Sequence, residues 1–441
     1  MRHALWALCT GLWLALVPVM VTAQTGGWQP RHFALELEPD FDARRFAATV
    51  QIDLVAGPHA PTTLTLQAGA LAMDQVRLGQ TDLAFERDGA QLHIHLPDTV
   101  TATGGMQTLT LRYRGQGSAG LRFDPDTPQV ATAFSTSQWM PCLDDPAVRA
   151  TFNLRLVLPS GLISVSNGRR TETAQTRAGA RVDEWHLDTP MPNYLYGFAA
   201  GRFTQSESQA GATRLTYLGP AGLFDEAALQ RVFHDTADQL AFYAERAGVP
   251  YALPVYGQVL QMGPVAQEMA GFSAMGARYG TRVLADPEAI WLGAHEAAHQ
   301  WWGNGLTNRS WRHFWLNEGI ASFMTTAYLE HRFGRAAYDE QIAAARTKYD
   351  ALRAQGLDKP LVFPDWDHPT AADRSLVYDK GTLVLHELRK LLGEERFWKG
   401  LKHYTRKHWG QSVETADFKR AMEEGSGADL SAFFRQWVEA Q

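Results

Sequence analysis

The stretch that decides the interpretation of this chain is His295-Glu296-Ala297-Ala298-His299, followed by Glu318 after an interval of residues 300–317. On a helix, positions i and i+4 lie on one face, so the two imidazoles can bind one metal ion. Glu296 lies beside the first ligand, where its carboxylate can hold a water molecule and act as a general base. A catalytic zinc ion usually has three protein ligands and an open fourth position, and Glu318 is the natural third ligand. The pattern predicts one Zn²⁺ per chain, bound by His295, His299 and Glu318.

The composition is that of a globular protein with room for two or three domains. The chain has 441 residues, of which 45% are hydrophobic and 20% charged. Its 41 basic and 47 acidic side chains give a net charge of −6 and are spread along the sequence. Because no basic block occurs, the sequence argues against a nucleic-acid-binding protein and against binding to an anionic membrane surface.

The N-terminus has the pattern of a signal peptide over residues 1–23. Arg2 and His3 precede an uncharged apolar run over residues 4–21, and small residues follow up to Ala23. Cleavage after Ala23 would make the protein periplasmic or secreted. An uncleaved membrane anchor is the alternative, because the run nearly reaches the ~20 residues that span a bilayer. No later stretch is long and apolar enough, so we expect no stable membrane span after signal removal.

Loss of residues 1–23 would remove Cys9 and leave Cys142 as the remaining cysteine. A single thiol excludes an intrachain disulfide, so stability must come from the hydrophobic cores. We expect Cys142 to be a small buried apolar side chain rather than a reactive thiol.

Hydrophobic periodicity divides the chain into a β part and a mostly helical part. Residues 31–205 contain many short alternating segments separated by turn residues, which predict an antiparallel sandwich or saddle. Residues 225–247 have apolar residues at helical spacing, and the metal motif is predicted on a helix over residues 289–305. A second helix over residues 318–333 would bring in the third ligand.

Several blocks of the sequence resemble the aminopeptidase N family of zinc metallopeptidases, also called gluzincin aminopeptidases. The resemblance lies in blocks over residues 295–304 (HEAAHQWWGN), 315–319 (WLNEG) and 378–381 (YDKG). The β part contributes residues 140–152 and 193–203, and residues 417–438 resemble the close of the family's catalytic domain. The resemblance therefore covers nearly all of residues 31–438.

This resemblance implies a multidomain α and β protein. An antiparallel β-saddle N-terminal domain is expected over residues 24–205, followed by a thermolysin-like, mostly helical α/β catalytic domain over residues 206–441. Many family members add a small β domain and a large C-terminal helical domain. The chain stops at Gln441, so we expect a short two-domain form that lacks the C-terminal helical domain.

The resemblance also implies roles for two further residues. Tyr378 would donate a hydrogen bond to the negative charge that develops on the carbonyl oxygen in the transition state. Glu268 would bind the free α-amino group of the substrate. The family's G-x-M-E-N motif reads here as residues 265–269 (VAQEM), in which only the Glu is retained. Two other departures are Thr325, where the family usually has a second acid, and Gln138-Trp139 in the region that lines the amine pocket.

The function predicted from the sequence is zinc-dependent hydrolysis of peptide bonds, favouring release of N-terminal residues from peptides with a free N-terminus. An endo- or oligopeptidase with an open cleft remains an alternative, because the amine-binding motif is altered. A third alternative is an inactive zinc-binding scaffold for protein interaction. Against that alternative, the residues needed for hydrolysis are all present. Side-chain specificity and oligomeric state are not given by the sequence.

Overall fold

The computed structural model describes residues 27–99, 105–175, 179–363, 366 and 369–439. The predicted signal peptide lies outside these residues. Among the described helices, none combines the length and the apolar character that crossing a bilayer requires.

The N-terminal part consists of three sheets. The largest has eight strands in the order β13-β14-β11-β1-β2-β8-β4-β5, and smaller sheets have the orders β12-β15-β10-β9 and β3-β7-β6. The strands are β1 Trp28–Asp40, β2 Arg45–Ala56, β3 Thr63–Gln67, β4 Ala72–Leu78, β5 Thr81–Asp82, β6 Phe85–Asp88, β7 Gln91–His95, β8 Met106–Gln116, β9 Leu121–Phe123, β10 Gln129–Thr132, β11 Arg149–Leu158, β12 Ile163–Ser166, β13 Arg169–Gln175, β14 Arg181–Pro192 and β15 Phe198–Gly201.

Alternation along each strand separates a core face from a solvent face. In β1, Phe33, Leu35 and Leu37 are all buried, whereas the residues between them are more exposed. The pairing is antiparallel, as predicted, with one exception in the large sheet: β1 and β11 are parallel, with Leu35 opposite Leu154. A parallel pair needs a long crossover, which the other strands of this half supply.

A further four-stranded sheet packs against helices of the second half of the chain. Its strands are β16 Phe203–Ala210, β17 Thr213–Pro220, β18 Val255–Gln261 and β19 Phe272–Gly276, and β17, β18 and β19 run parallel. The predicted division between residues 205 and 206 falls inside β16. Because β16 pairs with β17 of this further sheet, we propose that the division lies at Arg202, between β15 and β16. A two-stranded sheet joins β20 Thr307–Asn308 to β21 Ser412–Val413.

Eleven α-helices are described in the second half of the chain. They are α1 Glu226–Val232, α2 Thr236–Ala247, α3 Ala277–Ala285, α4 Trp291–Ala298, α5 Trp315–Phe333, α6 Arg335–Ala354, α7 Ala371–Ser375, α8 Gly381–Leu392, α9 Glu394–Lys407, α10 Thr415–Ser426 and α11 Ser431–Phe434. Short π-helical segments follow α7 and α11, at Leu376–Lys380 and Arg435–Glu439. The predicted fold class, a β-rich N-terminal domain and a mostly helical α/β domain, is confirmed.

Helix boundaries differ from the sequence prediction in three places. The single helix expected over residues 225–247 is divided into α1 and α2. The motif helix, expected over residues 289–305, ends at Ala298 with His299 as its C-cap. Helix α6 was not predicted, although its buried residues recur at helical spacing at Tyr338, Ile342, Ala345 and Tyr349. Charged residues and alanines are interleaved along the rest of α6, which obscures the apolar stripe in the sequence.

Candidate metal centre

Three side chains converge at the C-terminal end of α4 and the first turn of α5. Nε2 of His295 and Nε2 of His299 are 3.1 Å apart, and each lies 3.4 Å from Oε2 of Glu318. Ligands at zinc–nitrogen distances in a tetrahedral site lie about 3.3 Å from one another. The three buried ligand atoms therefore fit one zinc ion. No other group of His, Cys, Asp and Glu in the described part of the chain forms such a cluster.

The two histidines are held in different ways. Nδ1 of His299 lies 3.0 Å from the carbonyl oxygen of Trp302 and donates to it, which leaves Nε2 free as a ligand. Nδ1 of His295 is buried without a hydrogen-bond partner. Its ring is instead stacked on Trp291, with centroids 4.7 Å apart and planes 13° apart. Stacking therefore orients His295, where a hydrogen bond orients His299.

Three buried carboxylates, those of Glu268, Glu296 and Glu318, make the centre strongly favourable for a cation. Burial raises the pKa of Glu268 and of Glu296. Burial alone would also raise the pKa of Glu318, but the imidazoles of His299 and His295 hold it well below its ordinary value. Burial would lower the pKa of His299, yet the carboxylates of Glu318 and Glu268 raise it to about 10. Oε2 of Glu296 is buried without a partner.

Glu268 lies in the loop between β18 and β19. Burial raises the pKa of Glu296 and Tyr378, the carboxylate of Glu318 raises that of His299, and the charge of Glu268 adds to each of these shifts. The buried carboxyl group of Glu268 therefore lies within electrostatic range of the metal centre, although the letters around it depart from the family motif.

Two amide side chains hold this loop against the segment that bears the ligands. Asn304 Nδ2 donates to the carbonyl oxygen of Glu268 at 2.8 Å. Gln300 donates to the carbonyl oxygen of Met269 at 3.1 Å and accepts from the amide of Gly271 at 3.1 Å. The position of Glu268 is therefore set by residues that directly follow His299.

Tyr378 lies on the π-helical segment between α7 and α8. Its ring is 5.9 Å from that of His295. Burial raises the pKa of Tyr378 well above its ordinary value, and the charge of Glu318 adds to the effect, so the phenol remains a donor. The segment is braced by Lys380, whose buried Nζ donates to Asp358 at 2.8 Å and to the carbonyl oxygen of Lys359 at 2.7 Å.

Comparison with known families agrees with this geometry. The family model for the Peptidase M1 N-terminal domain matches residues 29–195, and the model for the Peptidase family M1 domain matches residues 232–437. Together they cover most of the chain, and the second range contains all six predicted site residues. The chain belongs to peptidase family M1. The zinc cofactor predicted from the ligands is confirmed by this membership and by the three-ligand cluster.

Curated M1 relatives are longer than this chain. Aminopeptidase M1-C of Oryza sativa subsp. japonica is 29% identical over 93% of this chain and 49% of its own length. Aminopeptidase N of Lactococcus lactis subsp. lactis is 27% identical, over 93% of this chain and 51% of its own length. The chain spans about half the length of the curated relatives it matches.

The fold is shared along nearly the whole chain with an M1 zinc metallopeptidase from Deinococcus radiodurans. Its structure with a Tyr-Ser-Ala substrate has a TM-score of 0.79 and 22% sequence identity, over 94% of this chain and 95% of that chain. The two-domain architecture of this M1 chain therefore has a solved counterpart of similar length.

Sequence reasoning missed the residues that support the M1 site. Gln300 and Asn304 were visible in the motif block, but their bonding to the Glu268 loop depends on tertiary contact. Tyr194 lies in the block of residues 193–203 that resembles the family, but the sequence assigned it no role. His313 and His386 bond to Thr415 and Tyr338 and are not part of the ligand cluster.

Proposed function

We propose that this protein is a zinc-dependent aminopeptidase that releases N-terminal amino acids from peptides. The observation that carries the proposal is the buried carboxyl group of Glu268, a residue that interacts electrostatically with His299 and Glu318 and whose backbone carbonyl oxygen accepts from Asn304. Two relatives named aminopeptidases and a structural neighbour bound to a Tyr-Ser-Ala substrate support it.

His295, His299 and Glu318 would hold the zinc ion. When bound, zinc supplies Lewis acidity, which activates water near neutral pH and polarises the peptide carbonyl. Glu296 accepts the proton of the attacking water and passes it to the leaving amine. Its Oε2 is suited to this transfer because it is buried and has no partner to compete for the proton.

Tyr378 stabilises the charge that develops on the carbonyl oxygen. Its phenol stays protonated because its pKa is raised by burial and by Glu318. A donor aimed at this oxygen strengthens its bond as negative charge builds, so it favours the transition state over the bound peptide.

Glu268 selects the free α-amino group. An ammonium group beside a buried carboxylate gains a charge-assisted hydrogen bond, whereas an N-acetylated terminus would leave the carboxylate buried and unpaired. Because only the first residue of a peptide carries an α-ammonium group, this contact restricts cleavage to the first peptide bond.

The test is hydrolysis of matched fluorogenic peptides, one set with a free N-terminus and the other N-acetylated, each with and without a zinc chelator. We expect chelator-sensitive cleavage of the free peptides alone. Cleavage of both sets would contradict the role of Glu268 and favour the endo- or oligopeptidase alternative. No cleavage of either set by the zinc-loaded protein would favour the scaffold.

We further propose that the protein is exported and that residues 1–23 are removed, leaving a periplasmic or secreted protein. The support is the charged, apolar and small-residue succession that ends at Ala23. Intact mass measurement of protein from the extracytoplasmic fraction should give a chain that begins at Gln24. A membrane-bound product of full mass would instead support the uncleaved anchor.

A further inference from the structure

One tyrosine of the N-terminal β domain contacts two segments that carry metal ligands. Tyr194 lies in the short 3₁₀ segment Asn193–Leu195, which directly follows β14, and it is buried. Its hydroxyl donates to the carbonyl oxygen of Gly303 at 3.0 Å and accepts from Nδ2 of Asn317 at 3.0 Å. Gly303 lies in the turn after His299, and Asn317 directly precedes Glu318. A single hydroxyl therefore bridges the segments of two ligands.

Tyr194 also contacts the loop between β18 and β19, which carries Glu268. Nε2 of Gln267 donates to the backbone carbonyl oxygen of Tyr194 at 2.7 Å, and Gln267 adjoins Glu268. The segments of the HEAAH, WLNEG and VAQEM motifs thus meet at Tyr194, which lies outside these three motifs.

The backbone turn at Gly303 lies directly against the imidazole of His299. Gly303 has φ +138°, and a Cβ built there would lie 2.8 Å from Nδ1 of His299. The amide of Asn304 donates to the carbonyl oxygen of His299 at 3.0 Å. Displacement of this turn would therefore move the imidazole that binds the metal.

The β domain holds this turn at two further points. Arg149 on β11 donates to the carbonyl oxygen of Asn304 at 3.0 Å and to Oγ1 of Thr307 at 2.8 Å. Thr307 in turn donates to the carbonyl oxygen of Gly303 at 2.9 Å. Tyr194 differs from Arg149 in that it also reaches the Glu318 segment, through Asn317. Its hydroxyl joins the two ligand segments directly, beside a second link in which the amide of Asn308 donates to Oδ1 of Asn317 at 3.2 Å.

We propose that Tyr194 is a positioning residue through which the N-terminal β domain fixes the geometry of the zinc site. The β domain then supports the metal centre directly. The inference rests on the zinc site of the proposed function, but it does not depend on peptide hydrolysis.

The test compares Y194F with the matched control Y196F. Tyr196 is also a buried tyrosine of the β domain, but its hydroxyl donates to the carbonyl oxygens of Ala150 and Met191 within that domain. Loss of either hydroxyl leaves buried polar groups unpaired and lowers stability. Only Y194F should also alter the ligand geometry. The readouts are zinc affinity, by competition with a chromogenic chelator, and the thermal midpoint of the zinc-free protein.

We expect Y194F to bind zinc about 10–100-fold more weakly than wild type, the size of effect that loss of a group orienting the metal ligands produces. Y196F should bind zinc with wild-type affinity, even if its thermal midpoint falls by as much as that of Y194F. Equal zinc affinity of Y194F and Y196F would overturn the proposal, because it would show that Tyr194 supports the fold alone.

A second variant, N317A, removes the other end of the same bond and is used if Y194F does not fold. It should also weaken zinc binding, and wild-type affinity would overturn the proposal. Failure of the wild-type protein to bind zinc is a separate outcome that overturns the proposed function itself.

Discussion

Gly319 and Gly381 touch backbone to backbone in the helical domain. A Cβ built on Gly319 would lie 2.9 Å from Cα of Gly381, and one built on Gly381 would lie 2.8 Å from Cα of Gly319. Helices α5 and α8 can approach this closely only because neither residue has a side chain. Glu318 directly precedes the first glycine and Tyr378 shortly precedes the second. The contact therefore brings a metal ligand and the proposed transition-state donor to the same site.

Replacement of Gly319 by Ala should push these helices apart. We expect a loss of about 1–3 kcal/mol in the free energy of unfolding, which is typical of an overpacked core. Zinc affinity should fall as well, because Glu318 moves with its helix. Urea unfolding and chelator competition measure the two effects. The control is Gly105→Ala, since no atom of the described residues lies within 4 Å of a Cβ at Gly105. Wild-type zinc affinity in G319A would show that the contact does not set the ligand position.

Replacement of Glu296 by Gln should abolish turnover while leaving zinc bound. The amide preserves the shape of the side chain but cannot take a proton from water. A fall in kcat of about 10²–10⁴-fold is expected for loss of a general base. Metal content, measured by atomic absorption, should remain one zinc per chain. Retention of wild-type kcat would contradict the proposed mechanism.

Replacement of Tyr378 by Phe should reduce kcat with little change in KM. The lost hydroxyl acts on charge that appears in the transition state, and the expected fall is about 10²–10³-fold. Steady-state kinetics on a free-amine peptide gives both constants. A rise in KM at constant kcat would instead indicate that Tyr378 contributes to binding of the ground state.

Replacement of Glu268 by Gln should reduce kcat/KM for peptides with a free N-terminus. Loss of a charge-assisted bond of about 1.5–3 kcal/mol corresponds to a fall of roughly 10–150-fold. Any residual cleavage of N-acetylated peptides should not fall, because these substrates cannot use the carboxylate. The ratio of the two kcat/KM values therefore measures discrimination. An equal fall for both peptide sets would mean that Glu268 affects the metal centre rather than the amine.

Cys142 should be unreactive in the folded protein. It is buried, and burial raises the pKa of its thiol well above the ordinary value, so the reactive thiolate is scarce below that pKa. In a C9S variant, which isolates this thiol, Ellman's reagent at pH 8 should label the native protein slowly. The same protein in urea should react at once with one thiol per chain. Rapid labelling of the native state would show that the site opens.

The identity of the metal ligands was predictable from the sequence because the chemistry fixes their spacing. Two imidazoles one helical turn apart bind one ion, and helix geometry alone places His295 and His299 on one face. The β character of the first half was predictable for a similar reason, since alternation such as that of Phe33, Leu35 and Leu37 follows from the strand itself.

Contacts between distant segments were not predictable in this way. The parallel pairing of β1 with β11 and the division of one predicted helix into α1 and α2 depend on what each segment packs against. Helix α6 was missed because its large apolar residues are widely spaced among charged residues and alanines, and only the packed structure shows which of them are buried.

The sequence by itself determined the candidate ligand set, the fold class and the family of this protein, because local periodicity and short motifs record them. Only the tertiary structure decided how the site is held together. The stacking of Trp291 on His295 follows the same i,i+4 spacing as the two histidines, but the amide contacts to the Glu268 loop and the bridge from Tyr194 join residues far apart in the chain. No spacing rule connects these distant residues, since their proximity results from tertiary packing.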